Sequence, residues 1–429
     1  MLLRFRNIES VLPRRIAAGL RSQARLIAHV LLTTSALGTA SAQTPPDPAL
    51  LARAERLAHQ NLIVDGHVDL PYRLRVKHFR LERQYLGMPL KSDGNFDYEK
   101  AKRGGLSAPF MSVYIPAEFQ VTGGAKLLAD SLIDMVRGIA AAHPGKFALA
   151  NSPTDLQRNF KKGLISLPMG MENGAGIEDN LNNVRYFFDR GIRYVTLTHG
   201  KDNRIGDSSY DTTRTWKGLS PFGRRVVTEM NRVGMLVDIS HVSDDTFFQV
   251  LELTKTPVIA SHSSCRTFTP GFRRNMSDDQ LRALGKNGGI VMINFSTLFL
   301  DEKLRLETEK NEKALADFLK TKNLKPSDDA AQPYVEQFER EHPNPKASIE
   351  RVADHIDHAV KLAGIDHVGF GSDFDGVGDT LPVDLKDVSQ YPNLLAVLLK
   401  RGYTDAQIVK LCSGNFLRVW NRVLAAAER

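Results

Sequence analysis

The stretch Asn61-Leu-Ile-Val-Asp65-Gly66-His67-Val-Asp69 closes an apolar run with His-x-Asp. In an extended chain successive side chains alternate faces, so His67 and Asp69 project together, about 7 Å apart at a rise of ~3.3 Å per residue. An imidazole and a carboxylate on one face are two ready ligands for a divalent cation. One such pair is weak evidence, but the arrangement recurs along the chain. Glu172 closes the segment Pro168-Met-Gly-Met-Glu172, and His199 follows Tyr194-Val-Thr-Leu-Thr198. His241 follows residues 236–240, His262 follows 258–261, and Asp373 follows 368–372.

These side chains meet only if the runs that carry them are strands of one sheet. Eight apolar runs have strand character, at residues 62–68, 108–115, 164–171, 193–198, 235–240, 257–261, 289–295 and 367–372. Helical segments separate most of them. Residues 125–142 and 176–190 are two, the second running into Gly191. Ser220-Pro221 opens 222–232 with a capping serine and a first-turn proline, and serines also open 243–253 and 277–286. The alternation predicts an α/β fold, a (β/α)8 TIM-type barrel forming a single catalytic domain. In such a barrel the strand C-termini share one rim, and six of the eight strands bring a histidine or carboxylate to it.

Taken singly, each of these residues has an ordinary structural reading, because a strand-end histidine is more often hydrogen-bonded than ligating. Their convergence changes the balance. A buried rim of carboxylates and imidazoles is costly without cations, and two divalent ions sharing a carboxylate would satisfy it. Other histidines are excluded from the site. His355 and His358 read as surface positions on a helix over 348–363, and His367 begins a strand at the opposite end of the barrel.

At these residues the chain resembles the renal (membrane) dipeptidase family of binuclear zinc metallopeptidases. The resemblance rests on Val64-Asp-Gly-His-Val-Asp69, Gly170-Met-Glu-Asn-Gly174, Tyr194-Val-Thr-Leu-Thr-His199, Gly218-Leu-Ser-Pro-Phe-Gly223, Val237-Asp-Ile-Ser-His-Val-Ser243, Ala260-Ser-His-Ser-Ser264, Arg273-Arg-Asn275 and Val368-Gly-Phe-Gly-Ser-Asp-Phe-Asp-Gly376, in chain order. It implies two Zn²⁺ per chain. His67 and Asp69 would hold one, His241 and His262 the other, and Glu172 would bridge them. It further implies that His199 stabilises the tetrahedral oxyanion. Arg274, with Arg273 as the adjacent alternative, would bind the substrate's terminal carboxylate. Asp373 would take a proton from a metal-bridging hydroxide's parent water and pass it to the leaving amine. Two departures border the substrate cavity. Glu172-Asn-Gly-Ala175 replaces the family's Glu-Gly-Gly-His, and the loop after His199 lacks the expected aromatic residues.

The rest of the chain sets the context. Residues 1–25 hold six arginines and one glutamate, residues 26–38 are mostly apolar, and Ala40-Ser41-Ala42 precedes Gln43. This reads as an export signal over 1–42, leaving 43–429 as the barrel domain and a periplasmic or secreted location. The net charge is +8, of which the signal accounts for five. The mature part is then only about +3, which argues against nucleic-acid binding. Two cysteines, Cys265 and Cys412, exclude a disulfide-rich scaffold and a cysteine-based zinc site. Residues 301–345, charged and punctuated by prolines, read as an insertion after the seventh strand, either a lid or a solvated excursion.

The reading that follows is zinc-dependent hydrolysis of dipeptides, L-Xaa-D-Xaa included. The alternative is a related barrel amidohydrolase or deacylase on N-acyl amino acids or other small amides. A catalytically silent metal-binding protein is a third class, disfavoured because no ligand is missing. The expected partners are small dipeptides, with no nucleic acid, no stable membrane span in the mature form, and room for a homodimer.

Overall fold

Short Val-, Ile- and Leu-rich runs bounded by turns are suited to strands buried on both faces. In the computed structural model, which describes residues 47–76, 90–325 and 328–428, each of the eight runs supplies one strand of a closed parallel barrel. They are β1 (Val64–Val68), β2 (Ala108–Tyr114), β5 (Met169–Glu172), β6 (Ile192–Thr196), β7 (Leu236–Asp238), β8 (Ile259–Ala260), β9 (Ile290–Ile293) and β10 (Val368–Phe370), hydrogen-bonded in the order β1-β10-β9-β8-β7-β6-β5-β2. Helices cover the outside. The expected signal segment 1–42 lies outside the described residues.

Helix boundaries follow their caps. Ser220 accepts from the Gly223 N–H with Pro221 in the first turn, and the helix Pro221–Val233 stops at Gly234 with φ 81°. Ser277 and Gln280 form a reciprocal capping box on Asp278–Asn287. The barrel floor is closed from below by the last helix, Asn415–Ala426. Its Phe416 and Trp420 pack on Phe110 at ring distances of 5.1 and 5.6 Å, and Phe110 packs on Tyr194 at 5.3 Å.

Several sequence expectations need correction. The run 164–171 is broken at Pro168, which has no N–H to give a ladder. Its first part, β4 (Ile165–Leu167), pairs with β3 (Phe147–Leu149) in a separate two-stranded sheet, and only β5 enters the barrel. The helix expected over 176–190 is a 3-10 turn, Gly174–Ile177, followed by Asn182–Arg190. His355 is not a surface residue. It is fully buried, takes the Cys265 N–H on Nδ1 at 3.0 Å and faces the Leu300 carbonyl through Nε2 at 2.9 Å, and burial pushes its pKa down to about 3. Its neighbours Val352, Ala353, Ile356 and Ala359 form the buried stripe of the same helix, and His355 lies in that stripe. His358 is half-buried and pairs with Asp278 at 2.8 Å. Cys265 and Cys412 are both buried and free.

The insertion after β9 contains two helices, Glu302–Lys320 and Gln332–Glu341, before the chain returns to Ile349–Ala363. Among the described residues no helix is long and apolar enough to cross a membrane.

Two seams of the barrel have a single registered strand pair each. They are β1 with β10, at Asp65 opposite Phe370, and β7 with β8, at Asp238 opposite Ile259. A buried aspartate sits at each. Asp65 accepts from Ser372 N at 2.9 Å, Ser372 Oγ, His67 N at 3.1 Å and Tyr391 Oη at 2.5 Å. Asp238 accepts from Ser240 N at 3.0 Å, Ser261 N at 2.9 Å, Ser261 Oγ at 2.6 Å and Thr196 Oγ1 at 2.5 Å. Where backbone ladders are shortest, a carboxylate joins the strands. Asp238→Ala should therefore cost about 3–5 kcal/mol, since it strands several buried donors together. Thr196→Val, which removes one donor, should cost about 1 kcal/mol. Denaturant unfolding of both variants checks this; equal costs would mean the aspartate does not act as a shared hub.

Candidate metal centre and active site

The strand C-termini bring seven candidate residues to one point. Glu172, at the end of β5, stands at its centre. Its Oε2 lies 3.3 Å from His67 Nε2, while its Oε1 lies 3.2 Å from His241 Nε2, 3.3 Å from His262 Nε2 and 3.4 Å from His199 Nε2. His67 Nε2 is also 3.2 Å from Asp69 Oδ2. Three sets of potential ligands have their ligand atoms mutually within 4.8 Å: His67, Glu172 and His262; Glu172, His199 and His241; and His67, Asp69 and Asp373. All seven residues except His199 are buried.

Local structure aims these groups. His241 and Asp373 turn off their strands in the left-handed region, with φ of 65° and 66°. Such strain in non-glycine residues is confined to places where the surroundings over-determine it. A β-carbon at Gly170 would overlap the Tyr194 ring, so this glycine leaves Tyr194 room inside the barrel to reach His67 Nδ1 at 3.0 Å. Gly376 leaves room in the same way for the Asp69 and Asp373 carboxylates beside it.

The hydrogen bonds behind the imidazoles determine their tautomers. Tyr194 has one hydroxyl proton and donates it to the Gly66 carbonyl at 3.0 Å, so His67 Nδ1–H is the donor to Tyr194 Oη. Ser261 Oγ donates to Asp238 and takes the Nδ1–H of His262 at 2.8 Å. In the neutral state, the one a cation would bind, both rings present an Nε2 lone pair to carboxylate oxygens. That arrangement suits a shared cation and is repulsive without one. The remaining polar accounting agrees. His67 Nε2 and Asp69 Oδ1 are buried without hydrogen-bond partners, and His241 Nε2 lies 2.9 Å from His262 Nε2.

Electrostatics fit the same view. Burial, with the field of Arg274, holds His241 well below its ordinary pKa, and burial with His67 and Arg274 does so for His262. Burial alone would raise Glu172, but the surrounding imidazoles, His67 and His199 first and then His241 and His262, hold it well below the usual carboxylate range. Neutral imidazoles and an ionised carboxylate are the protonation states a cation binds. For His67 burial works downward, yet Tyr194, Asp69 and Glu172 together hold it well above the ordinary value, a proton that a cation would displace.

Asp373 is different. Burial, reinforced by Asp69 and Glu172 and opposed by His67 and Asn294, raises it to about 7. Its Oδ2 accepts from Asn294 Nδ2 at 2.8 Å. A carboxyl near neutrality in a cleft is suited to moving protons. His199 is lowered by burial and keeps a neutral ring, with Nδ1 3.4 Å from Tyr114 Oη.

Of the two arginines that the sequence left open, Arg274 is buried, donating to Ser263 Oγ at 2.7 Å and the His262 carbonyl at 2.6 Å, with its Nε unpartnered. Arg273 is exposed. Sequence reasoning missed Ser112, which donates to Glu172 Oε2 at 3.3 Å, as well as Tyr194, Asn294, Asp65 and Asp238. The two aspartates carried a signal, a lone charge inside an apolar run. Ser112, Tyr194 and Asn294 carried none. Asn173, where the sequence departs from the family pattern, takes φ 76° and ties the bend after Glu172 to Ile115, Gln120 and Asn203 by bonds of 2.9–3.0 Å.

A cavity of about 640 Å³ opens above this centre, lined among others by Tyr72, Tyr114, His199, Tyr210, Phe299 and Asp373. Its size suits a small ligand. The membrane dipeptidase family model, peptidase family M19, matches residues 51–429.

The chain belongs to the membrane dipeptidase family.

It is thus a peptide-bond hydrolase of the metallo-dipeptidase type. Solved structures agree. The probable dipeptidase PvdM from Pseudomonas aeruginosa is 28% identical over 88% of this chain and 99% of its own, with a TM-score of 0.74. The metallopeptidase dipeptidase AC of family M19 is 26% identical over 85% and 99%, with a TM-score of 0.70. A metallopeptidase from Rhodobacter sphaeroides, bound to a phosphinate mimic of the dipeptide L-Ala-D-Ala, is 25% identical over 85% and 99%, with a TM-score of 0.69. This dipeptidase should lose stability when its metal is stripped, because ions bind the folded site alone. Dialysis against a chelator is expected to lower the melting temperature, and a divalent metal salt should restore it. A melting curve indifferent to both would contradict a structural hold of the metal on the strand ends.

Proposed function

We propose that the chain hydrolyses dipeptides, L-Xaa-D-Xaa among them, with two zinc ions. One would be held by His67 and Asp69, the other by His241 and His262, with Glu172 bridging. The observation that carries this reading is the position of Glu172, whose Oε2 faces His67 and whose Oε1 faces His241 and His262. Zinc suits a set of imidazoles and carboxylates with no thiolate. When bound, the ions would polarise the scissile carbonyl and acidify a water molecule.

The protein's own groups supply the rest. Asp373, raised to about 7 and anchored by Asn294 through Oδ2, accepts the attacking water's proton on its other oxygen and returns it to the leaving amine. His199 is neutral. Its Nδ1 faces Tyr114 Oη at 3.4 Å; with that hydroxyl as donor, Nε2 would carry the ring proton and offer it to a carbonyl oxygen as negative charge develops there. Arg274 stands behind His262 with Nε free, a guanidinium suited to the terminal carboxylate of a dipeptide. The dipeptide mimic bound to the Rhodobacter sphaeroides enzyme supports an L,D substrate.

Metal analysis of the purified protein should find two zinc ions per chain, and Glu172→Gln should lower both occupancy and hydrolysis. A replete protein with one ion, and full activity, would sink the bridged model. Free dipeptides should be cleaved and C-terminally amidated ones spared. Arg274→Ala should raise KM by the equivalent of about 1.5–3 kcal/mol, and Arg274→Lys should recover little because an ammonium lacks the fork. Preferential cleavage of N-acyl amino acids or amidated peptides would instead favour the broader amidohydrolase reading.

A further inference from the structure

The insertion after β9 contributes a wall to the catalytic cavity. Glu312, on the helix Glu302–Lys320, lines that cavity with Leu298, Phe299, Val377 and Thr380. The same carboxylate lines a second cavity of about 350 Å³ between the insertion and the loop after β10, and Val377 and Thr380 are shared as well. The two spaces therefore meet at Glu312.

Glu312 has no hydrogen-bond or ion-pair partner among the described residues; the charge that acts on it is another acid, Glu309, one turn back. Nearby cations are engaged elsewhere. Arg305 is bound to Glu302 at 2.9 Å and Glu309 at 2.6 Å, and Lys313 to Asp317 at 2.6 Å. Among the residues lining the catalytic cavity, Arg73 is the one lysine or arginine. It lies between Asp93 at 2.5 Å and Asp375 at 3.6 Å. Asp375 is itself on the cavity wall, with a side chain 1% exposed and an Oδ2 that has no partner. In the outer cavity Lys346 is paired with Asp379, which leaves Glu339 to add to the acidity. Glu312 is exposed to solvent at the cavity wall; partial desolvation and the like charge of Glu309 raise its pKa.

We infer that Glu312 is a specificity-determining residue, the acid of a side-chain subsite that selects dipeptides carrying a basic side chain of the lysine, ornithine or arginine type. This inference rests on the dipeptidase reading above. The surrounding chemistry matches such a ligand. Leu298, Phe299 and Val377 offer apolar surface to a methylene stem, while the carboxylate and the opening into the outer cavity receive the charged head. The ion pair would form at the outer wall, away from the reacting centre, so it acts on selection among substrates.

The test compares kcat/KM for Ala-Lys and Lys-Ala with their norleucine counterparts, which keep the stem and lack the charge, using zinc-loaded wild type, Glu312→Gln and Glu312→Lys. Ala-Ala serves as the common reference. The wild type should prefer lysine over norleucine by about fivefold at one of the two positions, the upper end for a partly exposed ion pair. That position identifies which residue of the dipeptide enters the subsite. The preference should fall to about one in Glu312→Gln, reverse in Glu312→Lys, and weaken at high salt. A purely structural effect of the substitution would lower both rates together and leave their ratio alone. A ratio near one in the wild type at both positions, or a ratio unchanged in Glu312→Gln, overturns the inference while Ala-Ala turnover upholds the dipeptidase reading. Absence of turnover for every dipeptide overturns both.

Discussion

The constraint that governs this molecule is the charge crowded around Glu172. Four histidine Nε2 atoms stand within 3.4 Å of its two oxygens, and Asp69 and Asp373 complete the rim. Taking such groups out of water costs several kcal/mol per ion unless partners compensate. The hydrogen bonds behind His67 and His262 do not compensate, because in the neutral rings they direct lone pairs inward. They make the centre a good host for cations and a poor one for vacancy. A protein that builds such a centre accepts a local instability that metal binding relieves, so stability and activity depend on the same ions.

That arrangement is possible because the strands that carry the ligands are held by something stronger than their own ladders. β8 has two residues and β7 three, too few for backbone pairing to determine register. Asp65 and Asp238 take over that task, each bonded to backbone and hydroxyl donors at the end of the neighbouring strand. Both also reach residues proposed to hold the metal. Asp65 binds the His67 N–H, and Asp238 holds Ser261, which orients His262. Barrel closure and ligand aim are thus one network, in which the second partners matter nearly as much as the ligands themselves.

Much of this was legible in the sequence because the repeated unit is simple. An apolar run followed by a ligand type locates a strand and its C-terminal end together, so the eight runs of the barrel and the convergence of His67, Asp69, Glu172, His199, His241, His262 and Asp373 could be read without coordinates. What escaped has physical reasons. The run 164–171 looks continuous because apolarity does not register the missing N–H of Pro168. His355 looked exposed because charged neighbours surround it along the chain, whereas its burial depends on Cys265 and Leu300, which are distant in sequence. Ser112 and Asn294 are invisible for the same reason. A hydroxyl or amide inside a strand gains meaning only from the carboxylate it meets across the barrel.

The insertion illustrates how such a fold can change its substrates without touching its chemistry. The metal centre is over-determined: a substitution there leaves buried charges unpaired, at a cost of several kcal/mol. The helix Glu302–Lys320 is under no such restriction. Most of its residues face solvent, with Thr308 and Leu319 buried, and its ion pairs are local ones of small worth. A single side chain on it, at Glu312, reaches the cavity wall. Changing that residue costs the fold little, yet it alters the charge a substrate meets beyond the reacting bond. Interactions of about 1 kcal/mol are negligible against the metal centre and still amount to a severalfold discrimination between competing dipeptides. Selectivity in this enzyme therefore belongs on a solvent-facing element outside the barrel, where small energies suffice and substitution costs the fold little.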